Sequence, residues 1–83
     1  MTTKTKVIKK IVCYENKQYQ LTYSLLTEDD GDYGIEVVCR CRNVVEIECI
    51  HVGNNRQKAL SLLWLFAKET VFPVALSETY NNL

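Results

Sequence analysis

The sequence predicts an α+β domain: a four-stranded antiparallel sheet (ββββ) with one long C-terminal helix packed on one face, plus a possible short terminal helix. Two patterns carry that expectation. Apolar residues alternate in four runs before residue 53, and helix-forming residues at helical spacing take over after residue 55. Length adds a bound: 83 residues make one small domain, 1–83, with residues 1–5 expected to be disordered.

Residues 7–14, VIKKIVCY, are rich in β-branched side chains and predict the first strand. Residues 19–27, YQLTYSLLT, set Tyr19, Leu21, Tyr23 and Leu25 on one side and Gln20, Thr22 and Ser24 on the other. A turn at Asn16-Lys17 uses asparagine's tolerance of positive φ and pairs Tyr14 with Tyr19 and Val12 with Leu21. It directs Ile8, Val12 and Tyr14 to the core and Cys13 away from it. Lys10 then needs an edge position with its head in water. EDDGD, 28–32, is a turn. In YGIEVVCRCR, 33–42, Tyr33, Ile35, Val37, Cys39 and Cys41 share a face opposite Glu36, Arg40 and Arg42. In VEIECIHV, 45–52, Val45, Ile47, Cys49 and His51 alternate with Glu46 and Glu48. A three-residue loop around Asn43 puts Val45 opposite Cys41, Ile47 opposite Cys39 and Cys49 opposite Val37, and it sets Glu46 against Arg40.

Asn54 or Asn55 suits a helix N-cap, and the helix runs from Arg56 to about Thr70. Leu60, Leu63, Trp64, Ala67 and Val71 form the stripe expected on the sheet, which leaves Leu62, Leu65 and Phe66 on the back. Phe72-Pro73 ends the helix, and Pro73 can start a short second one with Leu76, Tyr80 and Leu83 along one side.

Ten basic and ten acidic residues cancel, which speaks against a dedicated binder of nucleic acid or anionic membrane. There is no apolar run long enough for a signal-peptide core or a bilayer span, so the expected place is the cytoplasm and the four cysteines are expected as thiols. Cys39, Cys41, Cys49 and His51 have the composition of a zinc site. Their geometry is poor, because Cys39 and Cys41 sit about 7 Å apart on an extended strand rather than in a tight knuckle. Buried apolar filler is the preferred reading of the cysteines, and a metal-binding or redox module is the alternative. EDDGD fails the calcium-loop template, since setting Gly34 at its invariant glycine puts Gly31 and Tyr33 at ligand positions. No nucleophile elbow, phosphate loop or dinucleotide fingerprint is present.

Two segments carry a likeness. Tyr33-Gly34-Ile35-Glu36 follows an acidic turn, and Val71-Phe72-Pro73-Val74-Ala75-Leu76 leads to a closing segment from Glu78 to Leu83. In these the chain resembles a family of small bacterial proteins known only as a domain of unknown function, over most of its length after residue 19. It departs from that family at CRCR, 39–42, and at Asn54-Asn55. The resemblance implies a compact α+β fold. It implies no activity and transfers no functional residue.

The surplus apolar stripe Leu62, Leu65 and Phe66 then becomes the expected interaction surface, with Val38, Ile50 and Leu26 adding apolar character to the sheet's outer face. The expected function is non-enzymatic: protein–protein contact, as a homodimer or with another protein, with no cofactor, nucleic acid or membrane partner.

Overall fold

In the computed structural model, which describes residues 2–83, the four alternating runs become β1 (Thr3–Tyr14), β2 (Lys17–Thr27), β3 (Tyr33–Cys41) and β4 (Val44–Gly53). They pair antiparallel in the order β1-β2-β3-β4. α1 (Arg56–Lys68), a 3-10 turn (Pro73–Ala75) and α2 (Leu76–Asn81) lie on one face of this sheet. The α+β architecture stands as expected, with one correction. α1 has 13 residues rather than being one long helix, and the tail segments complete the helical layer. Residues 3–5, expected to be disordered, are part of β1, where a bulge at Thr5 separates the Lys4 and Lys6 pairings. Met1 lies outside the described residues.

Of the three hairpins, β1–β2 and β3–β4 turn in two residues, and β2–β3 uses the five residues 28–32. Glu15 and Asn16 hold φ of 49° and 64°, the left-handed pair whose twist matches a β-ribbon. Tyr14 therefore faces Lys17 and Val12 faces Tyr19, not the expected Tyr14–Tyr19 and Val12–Leu21 pairs. The difference is two residues, so the faces survive: Ile8 and Val12 pack toward the core. Tyr14 does not, because it overhangs the helices at the sheet's end and is exposed. At the β3–β4 hairpin Arg42 takes φ of 54°, and Cys41 pairs with Val44. The expected three-residue loop is wrong by one residue, and one residue flips a whole strand. Glu46 faces Cys39 on the helix side, and Arg40 faces Val45 on the outer side. Ile50, expected outside, packs against the core.

The Asn55 side chain caps α1, accepting from the Lys58 amide at 3.1 Å. The helix buries Ala59, Leu62, Leu63, Phe66 and Ala67, a stripe rotated from the expected one. Small Ala59 and Ala67 let the helix approach the sheet. Trp64 turns outward, 54% exposed, with the Lys6 ammonium 5.5 Å from its ring centroid.

The C-terminal end of α1 explains Lys10. The Val71 amide donates to Phe66 O and the Thr70 amide to Ala67 O, with Thr70 at φ 55°. Lys10 reaches from β1 across this end: its Nζ donates to Ala67 O at 3.0 Å and to Thr70 Oγ1. An ammonium there also complements the negative end of the helix dipole. Lys10→Met keeps the aliphatic stem and removes both bonds, so it is expected to cost about 1–2 kcal/mol in urea unfolding. Lys9→Met, on the outer face, is expected to cost no more than about 0.5 kcal/mol. Equal losses would mean that Lys10 does not hold the helix end.

Candidate interaction face

The expected sites come apart in the fold. Cys39 and Cys41 lie on the helix side of β3, whereas Cys49 and His51 point to the outer face of β4. Among the described residues no group of three or more His, Cys, Asp or Glu is placed to hold a metal ion. His51 Nε2 instead lies 3.1 Å from Asp32 Oδ2, on the surface. The acidic turn is closed by its own bonds: Glu28 N to Asp32 O, Gly31 N to Glu28 O and Asp32 N to Asp30 Oδ1.

The thiol electrostatics also oppose a redox role. Burial pushes Cys39 up, helped by the charges of Glu46 and Cys41. Burial also pushes Cys49 up, followed by the Glu36 carboxylate, which accepts from its Sγ at 3.8 Å. Reactive thiols need the reverse, a depressed pKa and access. Four free cysteines are present: Cys13 and Cys49 are exposed, the latter with its raised pKa, Cys41 is half-buried and Cys39 buried. Thiol titration with a chromogenic reagent at neutral pH is therefore expected to show Cys13 reacting first and Cys39 only on unfolding. The fast phase should vanish in Cys13→Ser. A fast phase that survives this change and belongs to Cys39 would reopen the redox reading.

The stripe expected to meet a partner is also not free. Phe66 is 0% and Leu62 8% exposed, both inside the core, and Leu65 is half-buried. The unpartnered apolar surface lies on the other side of the molecule. The helices take one face of the sheet. Among the described residues the outer face is bare of helices, and Ser24, Leu26 and Gly34 on it are buried only by neighbouring side chains and backbone. Its rows follow from the register: Ile11–Gln20–Arg40–Val45, then Lys9–Thr22–Val38–Ile47, then Val7–Ser24–Glu36–Cys49, then Leu26–Gly34–His51. Val7, Ile11, Val45 and Ile47 are exposed, Ile47 by 60%, and Val38 is half-buried among them.

Charge is ordered along the strands. At the hairpin-tip end Lys17, Arg40 and Arg42 line an open polar cleft of about 360 Å³ with Asn16, Gln18 and Gln20. At the other end stand Glu28, Asp32 and Glu36, with Lys4 Nζ 3.2 Å from Glu36 Oε1. On the helix side of the tips Val12, Tyr14, Tyr19 and Phe72 frame an apolar cleft of about 430 Å³, where Tyr19 and Phe72 meet edge to face at 5.6 Å.

The bare face had one signal in the sequence. In β4 the apolar residues Val45 and Ile47 alternate with Glu46 and Glu48, and alternation normally marks the buried side. The structure turns that apolar side outward.

These features define the class: an antiparallel ββββ meander with helices on one face and an apolar, charge-ordered face left open. The chain belongs to the Family of unknown function (DUF6514), whose model matches residues 2–83. This agrees with the likeness seen at Tyr33–Glu36 and in the tail. No curated protein and no solved structure matches it. Among the described residues no helix is long and apolar enough to cross a membrane.

Proposed function

We propose that this is a small cytosolic, non-enzymatic domain that works by protein contact through the bare face of its sheet. One observation carries the reading: β4 presents Val45 and Ile47 to the open side and Glu46 and Glu48 to the helix side, the inverse of a strand that serves only its own core. With Val38 they make an exposed apolar patch across β3 and β4, of the kind that marks contact sites, and Val7 and Ile11 add a second apolar strip on β1 beyond Gln20, Thr22 and Ser24 of β2. The raised thiol pKa values of Cys39 and Cys49 support a role without cysteine chemistry.

The test is site-specific photocrosslinking in cells that make the full chain. A photoreactive residue replaces Thr22 or Ile47 on the bare face, and Trp64 or Ser61 on the outside of α1. Adducts of discrete mass from the first pair alone are expected. Adducts from the helix pair alone, or none from the sheet, would refute the reading.

A further inference from the structure

Resting on that reading, we infer that the partner on the bare face is a second copy of this chain. The two sheets stack face to face with their strands antiparallel, about a two-fold axis that crosses the strands.

The charges choose the copy and the axis. Each outer face carries its bases, Lys9 and Arg40 with Arg42 beyond them, toward the hairpin tips. Its acids, Glu28, Asp32 and Glu36, lie toward the opposite turn, where they outnumber Lys4, which bridges Glu36, and where His51 meets Asp32. Among the described residues Lys9, Lys17, Arg40 and Arg42 form no ion pair. An axis parallel to the strands would lay tips on tips and bring Arg40 toward its own copy. An axis across the strands lays the tips of one copy on the acidic turn of the other, twice, and closes the pair. Its centre falls between the rows containing Val38 and Glu36, so Val7, Val38 and Ile47 each come one row from their own copy, over the partner's Lys9, Glu36 and Cys49 respectively. The Ile11–Gln20–Arg40–Val45 row then covers the partner's Lys4–Leu26–Gly34–His51 row. Arg40 lies over the buried Gly34 of the partner, one row from the partner's Glu36. The chain is neutral overall, ten bases against ten acids, so two copies do not repel at long range.

The edges argue for the face. β1 carries Lys4, Lys6, Lys9 and Lys10 and a bulge at Thr5, and β4 carries Glu46 and Glu48. Charges and bulges on edge strands oppose edge-to-edge pairing.

The size is enough for a specific contact. Four strands about 4.8 Å apart and about 30 Å long give a face of about 600 Å² per copy. The total, about 1,200 Å², sits at the lower limit of specific interfaces, among weak and reversible ones, so the test spans micromolar concentrations.

Sedimentation equilibrium of the full chain from about 5 to about 500 µM covers that range. The expected result is a reversible shift from 9.6 kDa to twice that mass. Raising salt from about 0.05 to about 0.5 M should weaken it several-fold, because opposed charges meet across the interface. Ile47→Lys should abolish the dimer with an unchanged circular dichroism spectrum, and Arg40→Glu should weaken it at least about tenfold. Val45→Lys replaces Ile47→Lys should the latter fail to fold. A wild-type chain that stays monomeric throughout, or an Ile47→Lys or Val45→Lys chain that still dimerises, overturns the inference. A dimer that tightens with salt overturns the axis. If the chain is monomeric yet Thr22 and Ile47 crosslink to a different protein, the second copy is excluded and the contact function stands. If neither self-association nor sheet-face crosslinks appear, both fall.

Discussion

Leu62→Glu combined with Phe66→Glu is expected to unfold the domain. Phe66 is fully buried and Leu62 nearly so, between α1 and the sheet residues Leu21, Tyr23, Ile35 and Val37. Truncating a buried phenylalanine to alanine alone costs about 3–5 kcal/mol. A carboxylate in the same place adds the cost of an unpaired buried charge, again several kcal/mol. A domain of this size has roughly 4–12 kcal/mol to lose. The two substitutions together exceed that. Circular dichroism and the dispersion of a proton NMR spectrum check it. A folded, soluble monomer would show that the two side chains face a partner after all, and would return the contact surface to the helix. Ile47→Lys is the contrasting change. It alters a side chain 60% exposed on the opposite layer and should leave the spectrum as it is.

Which stripe of α1 is buried could not be read from spacing. Leu60, Leu63, Trp64 and Ala67 and the stripe Ala59, Leu62, Leu63, Phe66 and Ala67 both repeat at helical intervals. They differ by a small rotation, and what decides between them is tertiary. The alanines permit close approach, Phe66 is fully buried in the core that also holds Tyr23, and Trp64 is exposed beside Lys6 of β1. The strands were legible, because their alternation is clean and their turns carry asparagine, glycine and aspartate; their order was open, because alternation does not say which strands are neighbours. The β3–β4 register was not. The expected register paired Glu46 with Arg40 and buried Val45, Ile47 and Cys49, so charge and apolarity agreed on it. The structure makes another choice because the connection is two residues long, with Arg42 carrying the positive φ. That single residue moves Cys49 and His51 away from Cys39 and Cys41. It dissolves the metal set and creates the bare face. Lys10 was legible as an awkward residue, but its partners at Ala67 and Thr70 lie 57 and 60 positions away and belong to no local pattern.

Alkaline pH is expected to destabilise the fold through Tyr23. This side chain is fully buried, and its hydroxyl donates to Val71 O at 3.0 Å, joining β2 to the segment that leaves α1. Burial, followed by the charge of Cys39, pushes its pKa from 10.0 to about 12. The sign follows from proton counting. Between these values the unfolded chain has released the phenolic proton and the folded chain still holds it, so unfolding releases a proton and stability falls as pH rises. The stabilisation is whole below the ordinary tyrosine pKa and is lost as pH climbs toward about 12. Two pKa units correspond to about 3 kcal/mol, a large part of what a domain of this size has. Cys39, also raised by burial, acts in the same direction and starts the decline earlier, above the ordinary thiol pKa. Tyr23→Phe separates the contributions. It leaves Val71 O without its partner and so lowers stability at neutral pH by about 1–3 kcal/mol. It also removes the phenol, so its stability curve should be flatter above pH 10 and converge with the wild-type curve near about 12. Urea unfolding across this range measures both. The chain has five tyrosines, and absorbance titration should show one of them ionising only as the fold is lost. If wild type and Tyr23→Phe instead decline in parallel, Tyr23 is not the group that alkali attacks, and the buried thiol is left to account for the slope.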